Sequence, residues 1–396
     1  MKRSTFLRWV EEPYRLFFPL GIAAAVAGVM MWPLVYAGHL GFYPAEAHAR
    51  MMVEGFVGAF VAGFLGTSFP RLTGNAAWSC GEFVGLMSLW LTCVIAAGNN
   101  HPALADGAFA GMLLLVFGGM AGRWFYGARD ISPPGFIMAF AGVAGGACAA
   151  AGLAWEGGTW MHPAGFHYAR LWLFQGFPLL PVLGIAPYLL PRVFGRESSH
   201  AFETSVRPPQ GWWLRAIAAM AATLLIAAGF VFETAGWTKL GHSLRAAVVL
   251  TWLVREASLF QPGGTSNTAG TLIRIAAGAL VVGTLTAGFF PAARVGLLHV
   301  LFASGFGLIV AIVSSRVVLG HAGRHDLLGG RMVWLRITAG LMLLAAVTRT
   351  ASDFLPAVRV SHHVYAAWIW TGGCLVWSGA LGRHFLRTDE SPESDR

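Results

Sequence analysis

The sequence predicts an all-α, polytopic membrane bundle of about twelve transmembrane helices, and three observations carry that prediction. Of the 396 residues, 56% are hydrophobic and 11% charged, against roughly 25% charged in soluble domains. Apolar runs of about 18 residues or more recur along the whole chain. Lysine and arginine gather in alternate connections, as the positive-inside rule requires.

Taken in order, the apolar runs lie near 15–38, 47–69, 80–98, 106–126, 134–155, 168–191, 212–233, 243–260, 271–290, 293–319, 333–351 and 362–386. The first follows Lys2, Arg3 and Arg8, and Ala45-Glu46-Ala47 resembles a cleavage site. The run from Leu16 to Ala37 exceeds the roughly 7–15 residues of a signal-peptide core, so it reads as an anchored helix. Pro and Gly punctuate the connections, as in "NNHPALADG" and "DISPPG". The longest hydrophilic stretch, 196–207, divides a single integral membrane domain into halves of six spans, 1–195 and 208–396, with no convincing repeat between them.

With the N-terminus inside, the outer side keeps only Arg50, Arg170, Lys239, Arg245, Arg294, Arg349 and Arg359. All other lysines and arginines lie inside, and an even number of spans places both termini in the cytoplasm. The net charge of +9 is therefore a topology signal facing the lipid bilayer, not a nucleic-acid patch. Cys80, Cys93, Cys148 and Cys374 stand singly, with neither a zinc ribbon nor a C-x-x-C-H haem attachment. No Walker loop, dinucleotide fingerprint or nucleophile elbow occurs, so any chemistry belongs to a cofactor or to transport.

Thirteen histidines are many for a membrane chain, and the topology sorts most of them to the outer side. His39, His101, His162 and His242 fall in loops and read as interfacial and solvated. His48 and His167 begin helices 2 and 6, His299 lies just inside helix 10, and His362 and His363 open helix 12. Imidazoles at four helix mouths in one leaflet suit a haem or metal held between helices. The plainer reading is that each caps a helix or bonds a carbonyl. In helix 10, His299 and His321 lie about 40° apart around an α-helix and about 33 Å apart along it, one near each membrane face. Gly305 and Gly307 between them admit a close helix or a flat macrocycle.

The stretch "HARMMVEGFVGAFVAGFLGTSFPRLTG" opens helix 2 with His48, Arg50 and Glu54. Arg50 and Glu54 are four apart and can pair; an ionisable residue inside the membrane is a functional candidate. Met51 and Met52 follow His48, and a His/Met edge suits copper(I) as well as plain packing.

Residues 48–74 and 294–324 carry a resemblance. The run from Gly55 through Pro70 to Gly74 in helix 2 resembles the NnrS family, as does "SRVVLGHAGR" after His299 in helix 10, with Arg316, Gly320, His321, Gly323 and Arg324. The closing "AAWIWTGGCLVW" resembles the family less specifically. The family's helix 2 commonly begins H-A-H-E-M, whereas here His48-Ala49-Arg50-Met51-Met52 stands, with Arg50 and Met51 replacing a histidine and a glutamate. The resemblance implies a bacterial inner-membrane protein binding haem b, with copper as a further metal, in the response to nitric oxide and in denitrification. It implies nitric oxide as a ligand without deciding between turnover, sensing and protection.

The expected cofactor residues are thus His48 and His299 first, with Met52 beside them for metal. His321 flanked by Arg316 and Arg324 is the inner candidate, His167 and His363 are reserves, and Arg50 is a counter-ion to a propionate. Two readings stand beside this one. A secondary transporter would use two halves of six spans and a broken helix 6, "FPLLPVLGIAP". A haem-bearing electron-transfer subunit would have no reaction of its own.

Overall fold

The computed structural model describes residues 5–197, 205–261 and 267–386. His200 and most of the 196–207 connection lie outside them. Among the described residues the chain is helical throughout, with no strand. Eleven helices are long and apolar enough to cross a membrane. In chain order the long helices are α1 (Tyr14–Tyr36), α2 (Ala45–Leu72), α3 (Cys80–Gly98), α4 (Pro102–Phe125), α5 (Phe136–Ala154), α6 (Pro163–Val193), α7 (Trp212–Thr234), α8 (Thr238–Arg255), α9 (Thr268–Phe289), α10 (Pro291–His321), α11 (Val333–Phe354) and α12 (Pro356–His384).

Local chemistry starts and stops these helices where the sequence marks them. Ser79 and Glu82 form a reciprocal capping box at α3. The Asn267 side chain accepts from Gly270 N at α9, 2.7 Å. Pro102, Pro163, Pro291 and Pro356 stand in first turns, where the missing N–H costs nothing. Gly74 and Gly323, at φ 60° and 66°, close α2 and α10 in the left-handed region that a side chain would disfavour.

Two expectations change. The eighth helix runs from Thr238, not 243, to Arg255, and it is not one of the eleven apolar enough to cross a membrane. The expected boundary lay beyond Lys239 and His242, whereas His242 is buried with Arg245 against Glu233. Helix 6 is not broken either: Pro181, Pro187 and Pro191 lie inside a continuous helix, preceded by a π-helical turn at Trp172–Gly176.

Consecutive helices pack side by side, and α12 returns to α1 to close the bundle. α2 and α6 run deepest, with 78% and 67% of their apolar windows buried. The long helices also fall into three successive groups of four, and the second helix of each group carries a π segment. These are Met51–Val57 in α2, Trp172–Gly176 in α6 and Val300–Gly307 in α10. Each contains or borders a polar-Gly-Phe triplet: Glu54-Gly55-Phe56, Gln175-Gly176-Phe177 and Ser304-Gly305-Phe306. All nine residues are buried. A repeat sought between halves was invisible because it runs by thirds.

Below these turns α2, α6, α9 and α10 enclose a cavity of ≈ 90 Å³. Among its lining residues, which include Phe60, Pro181, Phe306 and Val310, only Ser314 is polar.

Candidate functional site: a histidine pair at one end of the bundle

The π segments of α2 and α10 begin just after His48 and His299, and such turns often mark functional positions. The two imidazoles lie with ring centres 6.4 Å apart and planes 14° from parallel. His48 Nδ1 is 2.9 Å from Gly28 O, and His299 Nδ1 is 2.7 Å from Val295 O. A carbonyl only accepts, so in both rings Nδ1 carries the proton and Nε2 presents its lone pair. This is the tautomer that a metal ligand needs, fixed by an outer partner.

Sequence explains how the pair is held. Gly28 lets α1 approach α2 so closely that a Cβ there would sit 2.9 Å from Met51 Cβ. That approach brings the Gly28 carbonyl within reach of His48. Met52 also packs here, its sulfur 3.3 Å from the same point. Trp32 of α1 sets its ring edge-on to both His48 and His363, at 5.9 and 5.0 Å. The Tyr36 hydroxyl is 2.8 Å from His363 Nδ1, and His363 Nε2 is buried with no hydrogen-bond partner. His362 Nδ1 faces Thr348 O at 3.3 Å. On α11, Asp353 accepts from Arg349 Nη1 at 2.9 Å and from Gly296 N at 2.7 Å, which ties the start of α10 to α11.

Three of the four expected helix mouths therefore converge, those of α2, α10 and α12. That of α6 does not. His167 instead lies 3.7 Å from Glu233 Oε1, in a network where Arg245, Arg294 and His242 surround one carboxylate. His242 is fully buried, contrary to the solvated loop position expected for it, whereas His39, His101 and His162 are exposed.

Arg50 is not free for a propionate. Its Nε and Nη2 make a bidentate pair with Asp106 at 2.8 and 2.7 Å, and Nη1 reaches Glu46 at 2.7 Å. Arg170 grips the other side of Glu46 at 2.7 and 2.9 Å. Glu54, the expected partner of Arg50, lies 3.9 Å from its Nε. Asp106 and Glu233 were missed because each falls at the edge of an apolar run and reads as a span boundary. An acid within the first or last turns of an apolar run, rather than in the connection beside it, was the signal that could have found them.

At the opposite end, His321 donates through Nδ1 to Val317 O, 2.8 Å. Its Nε2 accepts from Arg71, its ring lies 4.9 Å from that of Tyr14, and Glu12 is nearby. Burial opposes ionisation of Glu12, yet the charges of His321, Arg15 and Arg71 hold its carboxyl below the ordinary range. Arg316 has no ion pair or hydrogen bond among the described residues, while Arg324 pairs with Asp326 at 2.9 and 2.8 Å at the surface. The shared face of His299 and His321 assumed unbroken α-turns, which the π segment interrupts. Gly305 and Gly307 are occupied by protein: a Cβ would meet Leu280 and Trp370, each at 2.5 Å. They serve close helix packing.

Two imidazoles on opposite sides of one metal, each at about 2.0–2.1 Å, place their ring centres roughly 6 Å apart. The 6.4 Å between the ring centres of His48 and His299 matches that spacing, so the two residues would suit an iron held by two histidines. No group of three His, Cys, Asp or Glu side chains suited to a metal ion occurs among the described residues, so copper has no such cluster here.

No curated protein matches the chain. The family model described as NnrS protein matches residues 8–388, nearly the whole length and every long helix described above, and the chain belongs to the NnrS family.

Proposed function

We propose that this is a haem b protein of the bacterial inner membrane that acts in the response to nitric oxide, with His48 and His299 as the iron ligands. NnrS membership supports a membrane protein of nitric oxide response. One observation carries the haem reading: two helix-mouth imidazoles lie with ring centres 6.4 Å apart, each with Nδ1 tied to a carbonyl and Nε2 bare. The bound group would supply a redox-active iron with affinity for nitric oxide. His48 is anchored across helices to Gly28, whereas His299 is anchored only to its own turn at Val295. His299 would therefore be the less firmly anchored of the two residues that would hold the group. His363, with its bare buried nitrogen beside Trp32, stands next to the pair as a further donor.

A polar-solute transporter gains little support. The central cavity offers such a solute only Ser314, whose hydroxyl already bonds Val310 O at 2.5 Å. The electron-transfer reading stands beside this one, since a group held by both His48 and His299 would be closed to a further ligand. The test is the absorption spectrum of the reduced protein with and without nitric oxide. A shift on adding nitric oxide supports the response reading; an unchanged haem spectrum assigns the chain to electron transfer, and a protein that takes up no haem overturns both.

A further inference from the structure

Around α2 from His48, a second set of charged groups, running from half-exposed Glu46 to fully buried Glu54, has a charge count that does not close. Glu46, Glu54 and Asp106 are three carboxyls, and Arg50 and Arg170 are the two cations that touch them. Glu46 is shared between both arginines, and Asp106 takes two donors of Arg50. Nothing remains for Glu54. It is fully buried, its Oε1 has no hydrogen-bond partner, and its Oε2 accepts only the Cys93 thiol at 3.2 Å.

An ionised carboxylate in that position would be unpaired in a low-dielectric interior, a state that buried groups avoid by taking up a proton. Protonation also resolves the orphaned oxygen. A carboxylic acid has an O–H to donate, and Asp106 Oδ1 meets the same Arg50 Nε that Glu54 Oε1 approaches, at 2.8 and 3.9 Å. The groups facing Glu54 are then all accounted for: Arg50 and Glu46 from α2, Cys93 from α3, Asp106 from α4, and Arg170 of α6 through Glu46. α1 meets the neighbouring Gly55 with Ala24, which does not titrate.

The threefold register gives independent support. The positions matching Glu54 in α6 and α10 are Gln175 and Ser304, 6% and 4% exposed. Both are neutral hydrogen-bonding side chains. The π-turn site therefore suits an uncharged polar group, and a protonated glutamic acid is nearly isosteric with glutamine.

We propose that Glu54 is a proton-binding site within the membrane region, held as a neutral acid between Cys93 and Asp106. Glu46, whose side chain is 47% exposed, is its aqueous mouth at the His48 end. The bound ligand is a proton, and the network gains one negative charge whenever that proton leaves. The site stands apart from the haem reading, because it involves neither His48 nor His299.

Infrared spectroscopy of the full chain in detergent tests it. The wild type should show a protonated carboxylic acid carbonyl band above the amide region that moves down in D2O and is missing in Glu54→Gln. Glu54→Gln should fold, with an unchanged melting temperature, as its α6 counterpart predicts. Cys93→Ala removes one hydrogen bond from the same carboxyl and should shift the band without abolishing it. Identical wild-type and Glu54→Gln spectra in that region overturn the proposal, and so does a band that Cys93→Ala leaves unmoved.

Discussion

Where α2 meets α10, His48 and His299 lie side by side, each with a bare Nε2 and each ring fixed by a single bond to a carbonyl. On another face of the same helix end, where α2 meets α4 and α6, each guanidinium nitrogen of Arg50 is met by a carboxylate. At one junction the cation is fully engaged, and at the other the donors are left open. A guanidinium met on every nitrogen orders the helices around it and has nothing left to offer an anionic ligand. An oriented imidazole with a free lone pair has only partial use in packing, and its tautomer is the state that binds metal. Burial alone does not separate the two regions; unspent donor and acceptor capacity does.

The contrast can be broken most forcefully from the closed side. Asp106→Ala leaves the Arg50 cation 4% exposed without its bidentate partner, and breaking such buried pairs costs about 3–5 kcal/mol. The expected outcome is a large drop in melting temperature in detergent, with little effect on haem affinity in whatever fraction folds. Equal stability to wild type would show that the network is not structural.

Gly28→Ala should act next, and on the open side. Its Cβ would lie 2.9 Å from Met51 Cβ, so α1 and α2 must part, at about 1–3 kcal/mol for overpacking. The Gly28 carbonyl would move away from His48, so the haem spectrum should shift along with the loss of stability. A spectrum identical to wild type would remove Gly28 from the positioning of His48.

A smaller effect belongs to pH. The Glu12 carboxyl is depressed in the folded chain by His321, Arg15 and Arg71. Its contribution is therefore present above the unfolded value of about 4.3 and is lost as pH falls through the lower folded value. Melting temperatures of Glu12→Gln and wild type should differ at neutral pH and converge on the acid side. Smallest of all is Arg324→Ala. Its partner Asp326 is an exposed neighbour on a surface turn, and surface pairs contribute little. Neither melting temperature nor haem spectrum should change; a spectral change would bring Arg324 to the cofactor after all.

Much of the fold was legible because membrane spans are announced by composition. Eleven of the runs read from hydropathy correspond to long apolar helices, and Pro and Gly marked their ends. The exception is instructive: α8 was displaced because Lys239 and His242 count against a span, yet Glu233 on α7 meets His242 and Arg245 from a separate helix. Pairing partners come from other parts of the chain, and hydropathy is blind to them. The same blindness hid Asp106: helical spacing found the Arg50–Glu54 pair, which is present at 3.9 Å, but not the closer bidentate partner on another helix. The helix-mouth placement of His48, His299 and His363 could be read in the sequence. Their convergence, and the separation of His167 from them, could not, because helix order around a ring is set by packing. The π segments and their polar-Gly-Phe triplets were present in the sequence but spaced by thirds of the chain.

The most direct measurement is the absorption spectrum of the purified protein, oxidised and dithionite-reduced, for wild type, His48→Ala and His299→Ala. With a histidine pair holding the iron, the wild type shows a Soret band that sharpens on reduction, and each substitution abolishes or shifts it. A colourless wild type produced with ample haem, or spectra that neither substitution alters, would contradict the assignment of His48 and His299 as the ligands.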